Sequence, residues 1–413
     1  MSIVTEWKTF NTQQRNAFVA SYLGWTLDAF DFFLMVFSLK TIAAEFGTDI
    51  KAVSVAITLT LAMRPLGALV FGILADRFGR RPVLMADILL FSILELASAF
   101  APSLWSLLII RAAFGFAMGG EWGLGASLTM ETVPTRSRGA VSGVLQVGYP
   151  SGFLLASVVY GLLFDYIGWR GMFAVGVLPA LLVVFIRRNV EESPAWERMR
   201  KRPRQPIGTL VRNHWKLFAY IVVLMTCFNF FSHGTQDLYP TFLQAQKKLN
   251  THTVSIIAII ANIGAIVGGM SFGALCQRLG RRRAIITAAL FALPVIPLWA
   301  FSSSVVLLAI GAFLVQVCVQ GAWGVIPVHL NELSPDEVRA TFPAFTYQLG
   351  NLFASANATM QAGFAESHGG NYGLALAVVG GTAAIAVATL AFLGGEKHSV
   401  EFGAPAEMAP APS

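Results

Sequence analysis

The stretch GALVFGILADRFGRR, residues 67–81, returns 201 positions later as GGMSFGALCQRLGRR, residues 268–282. The same offset superposes Trp122 on Trp323 without a gap. Two unrelated apolar stretches would share Leu and Ala by chance, but they would not share Arg and Trp at one fixed offset. The chain is therefore predicted to contain two copies of one structural unit.

The composition is that of a membrane protein. Of the 413 residues, 55% are hydrophobic and 12% are charged, which is about half of the charged fraction that is usual in soluble domains. Apolar runs of about twenty residues are long enough to cross a bilayer as helices. We predict twelve spans, at residues 15–39, 53–75, 84–101, 105–128, 139–164, 171–187, 216–243, 252–276, 284–301, 304–331, 340–365 and 372–394.

Clusters of Lys and Arg predict how the spans are oriented. They occupy the loops that follow spans 2, 4, 6 and 8, and basic residues in short loops stay on the cytoplasmic side. Both termini are therefore expected in the cytoplasm, in a multi-pass protein of the cell inner (plasma) membrane. The net charge of +7 follows from this topology, so nucleic acid is not an expected partner.

The repeat and the polar segments divide the chain into four parts. Residues 1–187 form the predicted N-terminal six-helix bundle, and residues 216–395 form the C-terminal one. Residues 188–215 carry many charges and three prolines, which is typical of a cytoplasmic connector. Residues 396–413 become rich in Pro and Ala and are predicted to be a disordered cytoplasmic tail.

Two six-helix halves in parallel, joined by a basic loop, resemble the major facilitator superfamily. The resemblance covers about 15–395 and includes that superfamily's signature after span 2, at Gly72, Asp76, Arg77, Gly79, Arg80 and Arg81. It implies an all-α membrane protein with twelve transmembrane helices in two pseudo-symmetric bundles. It also implies gating loops at Asp76, Arg77, Gly79 and Arg80 and, in the second copy, at Arg278, Gly280 and Arg281. Asp76 can pair with an Arg or a helix N-terminus and so act as a latch that holds one gate conformation. The second copy has Gln277 at this position, so we expect its latch to be weaker.

Span 7 carries a stripe of polar side chains on one helix face. Asn229, Ser232, His233, Gln236 and Asp237 follow the spacing i, i+3, i+4, i+7 and i+8, which confines them to about 140° of the helix surface. Such a stripe faces either a water-filled cavity or another polar stripe, and a helix-packing network is the alternative to a transport role. His233 and Asp237 stand one turn apart, so the carboxylate can hold the imidazolium and the pair can exchange a proton.

The same segment carries a more specific resemblance. Residues 229–241 fit the pattern Asn-x-x-[Ser/Thr]-His-x-[Ser/Thr]-Gln-Asp-x-x-x-Thr, which is similar to the signature of the fungal lactate/pyruvate proton symporters. That group and the bacterial sialic acid symporters form the sialate:proton symporter branch. The resemblance extends to an Arg in span 2 and a Gln-x-x-Asn pair in span 11, and it implies substrate-binding roles for the matching residues. The candidate substrate-binding residues are Arg64, Asn229, Gln236, Gln348 and Asn351.

Arg64 lies in the middle of span 2, and its repeat partner is Ala265. A guanidinium is always charged and grips a carboxylate through two parallel hydrogen bonds. The alternative is a structural ion pair with Asp28 or Asp31. Either reading gives the buried charge the partner that a membrane interior demands.

Carboxylates in spans 1 and 4 are further candidates for proton coupling. Asp28 and Asp31 stand one turn apart, and repulsion between them would keep a proton on one of the two. Glu121 interrupts a run of glycines, where it is either a proton site or a partner for Arg111. Glu95 in span 3 is expected to be structural. The candidate proton-coupling residues are His233, Asp237, Asp28, Asp31 and Glu121.

These residues predict a proton-coupled symporter for small monocarboxylates such as lactate or pyruvate. The alternatives are proton symport of sialic acid or of another organic acid of the shikimate or aromatic type, and more remotely a transport-dead membrane sensor or a channel. The sequence contains no His-Glu-x-x-His, no Cys/His cluster and no phosphate-binding loop. We therefore expect no enzyme activity, no catalytic residues, no metal and no cofactor. The expected partners are the carboxylate, the proton and the lipid bilayer, with the chain acting as a monomer.

Overall fold

The computed structural model describes residues 7–48, 50–200, 209, 212–397 and 400–402. The regular elements of these residues are helices, as predicted. The first bundle contains α1 (Thr12–Glu45), α2 (Ile50–Phe78), α3 (Arg80–Ala99), α4 (Leu104–Thr132), α5 (Arg138–Gln146), α6 (Gly148–Val175) and α7 (Pro179–Asn189), and a short helix, α8 (Pro194–Arg200), follows it. The predicted connector, 188–215, lies partly outside the described residues.

The second bundle begins with a helix that is interrupted near its far end. Its elements are α9 (Trp215–Gln236), α10 (Tyr239–Thr241), a π-helical turn (Phe242–Gln246), α11 (Thr251–Leu279), α12 (Arg281–Phe301), α13 (Val305–Leu333), α14 (Thr341–Ala354), α15 (Asn357–Ser367) and α16 (Tyr372–Leu393). The breaks between α9 and α10 and between α14 and α15 both lie close to residues that the sequence marked as candidate site residues.

Nine stretches within the described ranges are long and apolar enough to cross a membrane. One of them, Thr135–Asn189, has 55 residues and accommodates two passes, because Gly168 breaks the helix with a φ of 61°. α1 is 34 residues long but carries two aspartates in its middle, and α14 and α15 have only 14 and 11 residues. Together these elements are consistent with the twelve predicted passes.

Glycines bring the helices of each bundle into backbone contact. A Cβ at Gly67 on α2 would lie 1.7 Å from the carbonyl oxygen of Phe116 on α4. Its repeat partner Gly268 on α11 is equally confined, since a Cβ there would lie 2.2 Å from the carbonyl oxygen of Val317 on α13. No side chain fits at such distances, and small residues are the usual solution where membrane helices approach closely. The sequence repeat is thus a repeat of helix packing.

The two bundles touch chiefly at one end of the molecule. We call it the basic end, formed by residues 72–82, 131–143, 273–283 and 332–341. There α5 packs against α11 and α13, and the start of α14 packs against α2 and α4. A Cβ at Gly72 would lie 2.6 Å from Cα of Thr341, and one at Gly143 would lie 2.9 Å from Cα of Gly273. Backbones this close leave no passage between the bundles, so the basic end is closed.

The predicted disordered tail, 396–413, is ordered at its start. Oε1 of Glu396 accepts a hydrogen bond of 2.6 Å from the backbone N–H of Arg281, and Phe402 is only 2% exposed. The Pro- and Ala-rich composition that suggested disorder belongs to the later part of the segment. Residues 403–413 lie outside the described part of the chain.

Candidate functional site

His233 joins the polar face of α9 to α14. Its Nδ1 lies 3.2 Å from Oδ1 of Asp237, and its Nε2 lies 3.1 Å from Oδ1 of Asn351. A neutral imidazole has one N–H and can donate to only one of these oxygens, whereas the protonated ring donates to both. The oxygens of Asp237 and Asn351 can therefore both accept a hydrogen bond from the ring only when His233 is protonated.

The His233–Asp237 pair is open to a ligand. The two side chains are 35% and 34% exposed, although they belong to a membrane helix. Arg64 of the other bundle is among the charges that act on His233. The pair is therefore exposed within reach of the charge of Arg64.

Arg64 lies in the middle of α2 with few partners. Its Nη2 donates to Sδ of Met118 at 2.7 Å, and the guanidinium lies 5.3 Å from the ring centroid of Phe32. Its Nε has no hydrogen-bond partner within the described ranges, and the residue is 3% exposed. The alternative ion pair with Asp28 or Asp31 is not formed among these residues. A buried guanidinium held by a thioether and a ring keeps donors free for an anionic ligand.

The charge of Arg64 reaches across the space between the bundles. Besides His233, it acts on Asp28 and Tyr149 in its own bundle and on Tyr347 in the other. The guanidinium is therefore placed near the middle of the molecule, where a small anion would contact both bundles.

Amide side chains of α14 and α9 complete this region. Gln348 is 1% exposed, and its Oε1 has no hydrogen-bond partner in the described chain. Asn351 is 8% exposed and is the partner of His233. Asn229 turns its Nδ2 toward the carbonyl oxygen of Met225 at 2.8 Å and is 2% exposed. Of these three amides, Asn229 is the one whose donor is occupied by its own helix.

Gln316 on α13 is a member of the polar cluster that the sequence analysis missed. Nε2 of Gln236 donates to Oε1 of Gln316 at 3.0 Å and lies 3.2 Å from Oγ of Ser232. The signal was present, because Gln316 is an amide side chain in a largely apolar stretch of span 10. The polar face of span 7 therefore meets a second polar group, as a packing network would, while its His233–Asp237 part stays exposed.

An aromatic layer lies between this polar region and the closed basic end. The ring of Tyr347 lies 4.7 Å from that of Trp122 and 5.5 Å from that of Trp323, measured between centroids. Trp122 and Trp323 are repeat partners, so the two bundles contribute equivalent rings to one contact. Nε1 of Trp122 donates to Oε1 of Gln146 at 3.1 Å. Aromatic rings from both bundles therefore border the polar region on the side of the basic end.

The first bundle buries several carboxylates without hydrogen-bond partners. Asp28, Asp31 and Glu121 are 0% exposed, and none of their side-chain oxygens has a partner in the described chain. Oε1 of Glu121 would lie 2.3 Å from a Cβ at Gly24, one helical turn before Asp28. Glu121 therefore packs directly against α1 beside Asp28. An ionised carboxylate in such a place is costly, because nothing nearby replaces its lost hydration.

Asp87 on α3 extends this group and was not singled out from the sequence. It is 0% exposed, and both of its oxygens lack partners in the described chain. Its Oδ1 would lie 2.8 Å from a Cβ at Gly120, the residue next to Glu121. Asp28, Glu121 and Asp87 thus follow one another from α1 through α4 to α3. The signal was again a carboxylate inside an apolar span.

Glu95 and Arg111 form the structural pair of the first bundle. Nη2 of Arg111 lies 2.6 Å from Oε2 of Glu95, and its Nε donates to Oγ of Ser98 at 3.0 Å. The expectation that Glu95 is structural fits this geometry. Because Arg111 is occupied by Glu95, the sequence alternative in which Arg111 partners Glu121 is not realised.

The second bundle fills the equivalent places with apolar groups. Gly321, the partner of Gly120, has the ring of Phe272 at 2.5 Å from its would-be Cβ. Asp87 and Glu121 correspond to Ala288 and Ala322 at the same offset. The carboxylates of the first bundle are therefore no requirement of the fold.

Two latches hold the bundles together at the basic end. Asp76 accepts from the backbone N–H groups of Ala340 and Thr341 at 3.1 and 3.0 Å and from Oγ1 of Thr341 at 2.6 Å. In the second copy, Oε1 of Gln277 accepts from the backbone N–H of Gly139 at 3.1 Å. A carboxylate at a helix N-terminus benefits from charge-assisted bonds and the helix dipole, and an amide benefits less. The geometry agrees with the expected difference between the latches.

Buried ion pairs support each latch. Nη1 of Arg80 lies 3.0 Å from Oδ1 of Asp76, and its Nη2 lies 2.9 Å from Oε1 of Glu131. In the second copy Arg281 binds Glu332 through two bonds of 2.9 and 3.0 Å. The positive φ values of Gly79 and Gly280, 114° and 92°, let the chain turn sharply into α3 and α12. Arg77 and Arg278, also predicted to belong to the gating loops, are exposed. Their role in gating stays a prediction.

Comparison with known proteins agrees with this architecture. The model of the family described as Major Facilitator Superfamily matches residues 17–352. A protein of Saccharomyces cerevisiae named carboxylic acid transporter protein homolog is 28% identical, over 97% of this chain and 71% of its own length. The sialic acid transporter NanX of Escherichia coli is 29% identical, over 84% of this chain and 87% of its own length.

A solved structure has the same fold. The proton:xylose symporter XylE, bound to 6-bromo-6-deoxy-D-glucose, superposes with a TM-score of 0.77 and covers 95% of this chain and 98% of that chain. The two sequences are 18% identical, so the likeness concerns the fold alone.

Proposed function

The chain belongs to the Major Facilitator Superfamily and is a membrane transporter, not an enzyme, and on that premise we propose that it imports small monocarboxylates together with protons. The observation that carries the proposal is the His233 cluster, in which one titratable ring bonds Asp237 and Asn351 and stays partly exposed.

The proposed orientation places the basic end in the cytoplasm of the cell inner (plasma) membrane. Basic residues in short loops favour that side, and both termini then lie there as well. In this proposed orientation, the closed basic end makes the state an outward-facing one. The site is then accessible from outside the cell, as the exposure of His233 and Asp237 requires.

Arg64 is the proposed anchor for the substrate carboxylate. Its free donors lie in a buried setting, where a bidentate pair with a carboxylate is stronger than in water. Gln348, with an unpaired buried Oε1, and Asn351 would then read the hydroxyl or keto oxygen next to the carboxylate. Gln236 and Asn229 are retained as proposed lining residues, although Asn229 bonds to its own helix.

The proposed proton carriers are the His233–Asp237 pair and the buried carboxylates Asp28, Asp31 and Glu121. Protonated His233 donates to Asp237 and Asn351 at once, so substrate contact with Asn351 and proton binding at His233 share one hydrogen-bond network. This shared network would couple the proton to the substrate.

Transport would proceed by rocking of the two bundles around the substrate site, so that the basic end opens while the opposite end closes. One monocarboxylate and one proton together carry no net charge, so a pH gradient alone can drive accumulation. The proposed working unit is a monomer, because both bundles that form the candidate site belong to one chain.

The nearest rival is proton symport of sialic acid, supported by the similarity to NanX. The aligned part covers 87% of NanX, so chain length does not separate the two readings. Sialic acid also presents a carboxylate to Arg64 but is far bulkier than lactate. Its carriage would need room above the layer of Tyr347, Trp122 and Trp323.

Uptake into proteoliposomes tests the proposal. With an acidic exterior, labelled lactate or pyruvate should accumulate above the external concentration, and a protonophore should abolish the excess. Competition by unlabelled lactate, sialic acid and shikimate then separates the substrate classes. Accumulation that survives collapse of the pH gradient would contradict proton coupling, and competition by sialic acid alone would contradict the monocarboxylate assignment.

A further inference from the structure

Phe402, near the C-terminus, occupies the interface between the bundles at the basic end. It is 2% exposed. The guanidinium carbon of Arg138 lies 3.6 Å from its ring centroid, and that of Arg339 lies 3.9 Å from it. Arg138 belongs to the first bundle and Arg339 to the second, and the sequence repeat makes them equivalent. One aromatic ring is thus clamped by matching arginines from the two halves.

The backbone around Phe402 is bound as well. Nη1 of Arg138 donates to the carbonyl oxygen of Val400 at 2.6 Å, and Nη2 of Arg198 donates to that of Phe402 at 2.7 Å. Arg138 and Arg339 are 4% and 2% exposed, so their like charges face each other away from water. A ring face and carbonyl oxygens between them offset that repulsion.

The segment is anchored upstream in the same way as the connector between the bundles. Glu192 follows the first bundle and accepts a 2.9 Å bond from the backbone N–H of Arg80 at the start of α3. Burial is the largest influence on this group and raises the pKa of Glu192. Glu396 follows the second bundle and accepts the equivalent bond from Arg281 at the start of α12. Glu396 and Phe402 of the C-terminal segment are therefore both bound at the basic end.

The clamp depends on the closed state of the basic end. Arg138 begins α5, and Arg339 lies two residues before α14, the helices that join the bundles there. When these helices separate, a single ring cannot stay within 4 Å of both guanidinium groups. We propose that Phe402 is a latch, so that the C-terminal segment stabilises the closed basic end and leaves the Arg138–Arg339 clamp when that end opens. The role of this latch in transport rests on the proposed function, but the test of the latch needs no substrate.

Cys276 on α11 reports the state of the basic end. It is 0% exposed, and its Sγ would lie 2.8 Å from a Cβ at Gly139 in the other bundle. A charged maleimide can reach this thiol only after the bundles separate. With Cys227→Ser and Cys318→Ser in the background, Cys276 is the single thiol among the three cysteines of the chain.

The experiment compares the rate of Cys276 alkylation in the purified full-length protein and its variants. Phe402→Ala and a chain ending at Lys397, which keeps Glu396, should both react at least about fivefold faster than the parent, as expected for a coupling of ordinary size. The matched control is Phe392→Ala, which removes a ring that is 67% exposed at the end of α16. It should react at the parent rate.

The outcomes separate a latch from general loosening and from failure of the proposed function. Equal rates in Phe402→Ala, the shortened chain and the parent would overturn the latch. A rise of similar size in Phe392→Ala would also overturn it, because the effect would then not belong to the clamp. Proteoliposomes that transport no carboxylate while Phe402→Ala still exposes Cys276 would refute the proposed substrate and leave the latch supported.

Discussion

The internal repeat is preserved at the basic end of the molecule but lost in the middle of the membrane. At the basic end, Nε of Arg138 donates to the carbonyl oxygen of Met130 at 2.8 Å, and Nε of Arg339 donates to that of Asn331 at 3.3 Å. These bonds are the same bond in two copies. In the middle, Arg64 is matched by Ala265. Closing an end requires the same movement of both bundles, whereas a small asymmetric ligand requires chemistry from different sides.

In a duplicated carrier, residues for substrate and proton are therefore sought at positions where the two copies differ. Ion pairs that recur, such as Arg80–Glu131 and Arg281–Glu332, belong to the packing that the two copies share. Buried charges that occur in one copy and lack a partner of their own are the candidates for function, because the other copy folds without them. The Glu95–Arg111 pair also occurs in one copy only, but its two charges satisfy each other. Variants of residues from both classes test this difference, and their expected effects decrease in the order given.

Replacing Arg64 by Ala should have the largest effect. Removing one partner of a buried charged pair costs about 2–5 kcal/mol, so carboxylate binding and uptake should fall to background. The measurement is binding of labelled pyruvate to the purified protein, together with uptake. Arg212→Ala, which removes an exposed arginine, is the control and should bind as the parent does. Tight pyruvate binding by Arg64→Ala would remove Arg64 from the site.

His233→Gln should separate exchange from accumulation. Glutamine can still bond Asp237 or Asn351, but it cannot carry a proton. Labelled substrate should therefore exchange with unlabelled substrate across the membrane, while a pH gradient no longer drives accumulation. Ser367→Ala, at an exposed position at the end of α15, should leave both activities unchanged. Accumulation by His233→Gln at the parent level would place the proton elsewhere.

Asp87→Asn tests the carboxylates of the first bundle. If Asp87 only fills space, the isosteric amide should leave transport unaltered. If Asp28, Glu121 and Asp87 share a proton that moves during transport, the variant should shift the pH profile of uptake while protein yield and unfolding temperature stay close to the parent. We expect the shift in Asp87→Asn. Ser92→Ala on the same helix, whose Oγ donates to the carbonyl oxygen of Ile88, should not cause one. An unshifted profile would make Asp87 structural.

The two latches should differ by a smaller amount. The bonds that Asp76 makes to the other bundle involve a charged group and are worth about 1.5–3 kcal/mol each, whereas those that Gln277 makes to the other bundle are neutral and worth about 0.5–1.5 kcal/mol each. Spin labels at the exposed positions Arg136 and Arg283 report the distance between the bundles at the basic end. The long-distance population should grow more in Asp76→Ala than in Gln277→Ala. The reverse order would contradict the assignment of Asp76 as the stronger latch.

The sequence predicted what depends on local spacing. Helical periodicity placed His233 one turn from Asp237, and the structure has them in contact. Apolar length and the repeat predicted the all-α, two-bundle architecture, which the family match confirms. These predictions needed no knowledge of how distant helices pack.

Contacts between distant elements could not be predicted in the same way. Gln316 is recognised as part of the polar cluster only when α13 is packed against α9, and Asp87 is linked to Glu121 only through Gly120 on another helix. Phe402 stands in a segment whose composition suggested disorder, and its clamp is assembled from loops of both bundles. In each case the contact is stabilised by burial among residues that are far apart in the chain.

The central claim is that substrate and proton bind where the repeat fails, while the basic end only moves. Proton uptake on addition of pyruvate to the purified protein in weakly buffered solution tests it most directly. The account predicts proton uptake linked to pyruvate binding in the parent and in Asp76→Ala, and none in Arg64→Ala. Loss of the signal in Asp76→Ala together with its persistence in Arg64→Ala would contradict the claim.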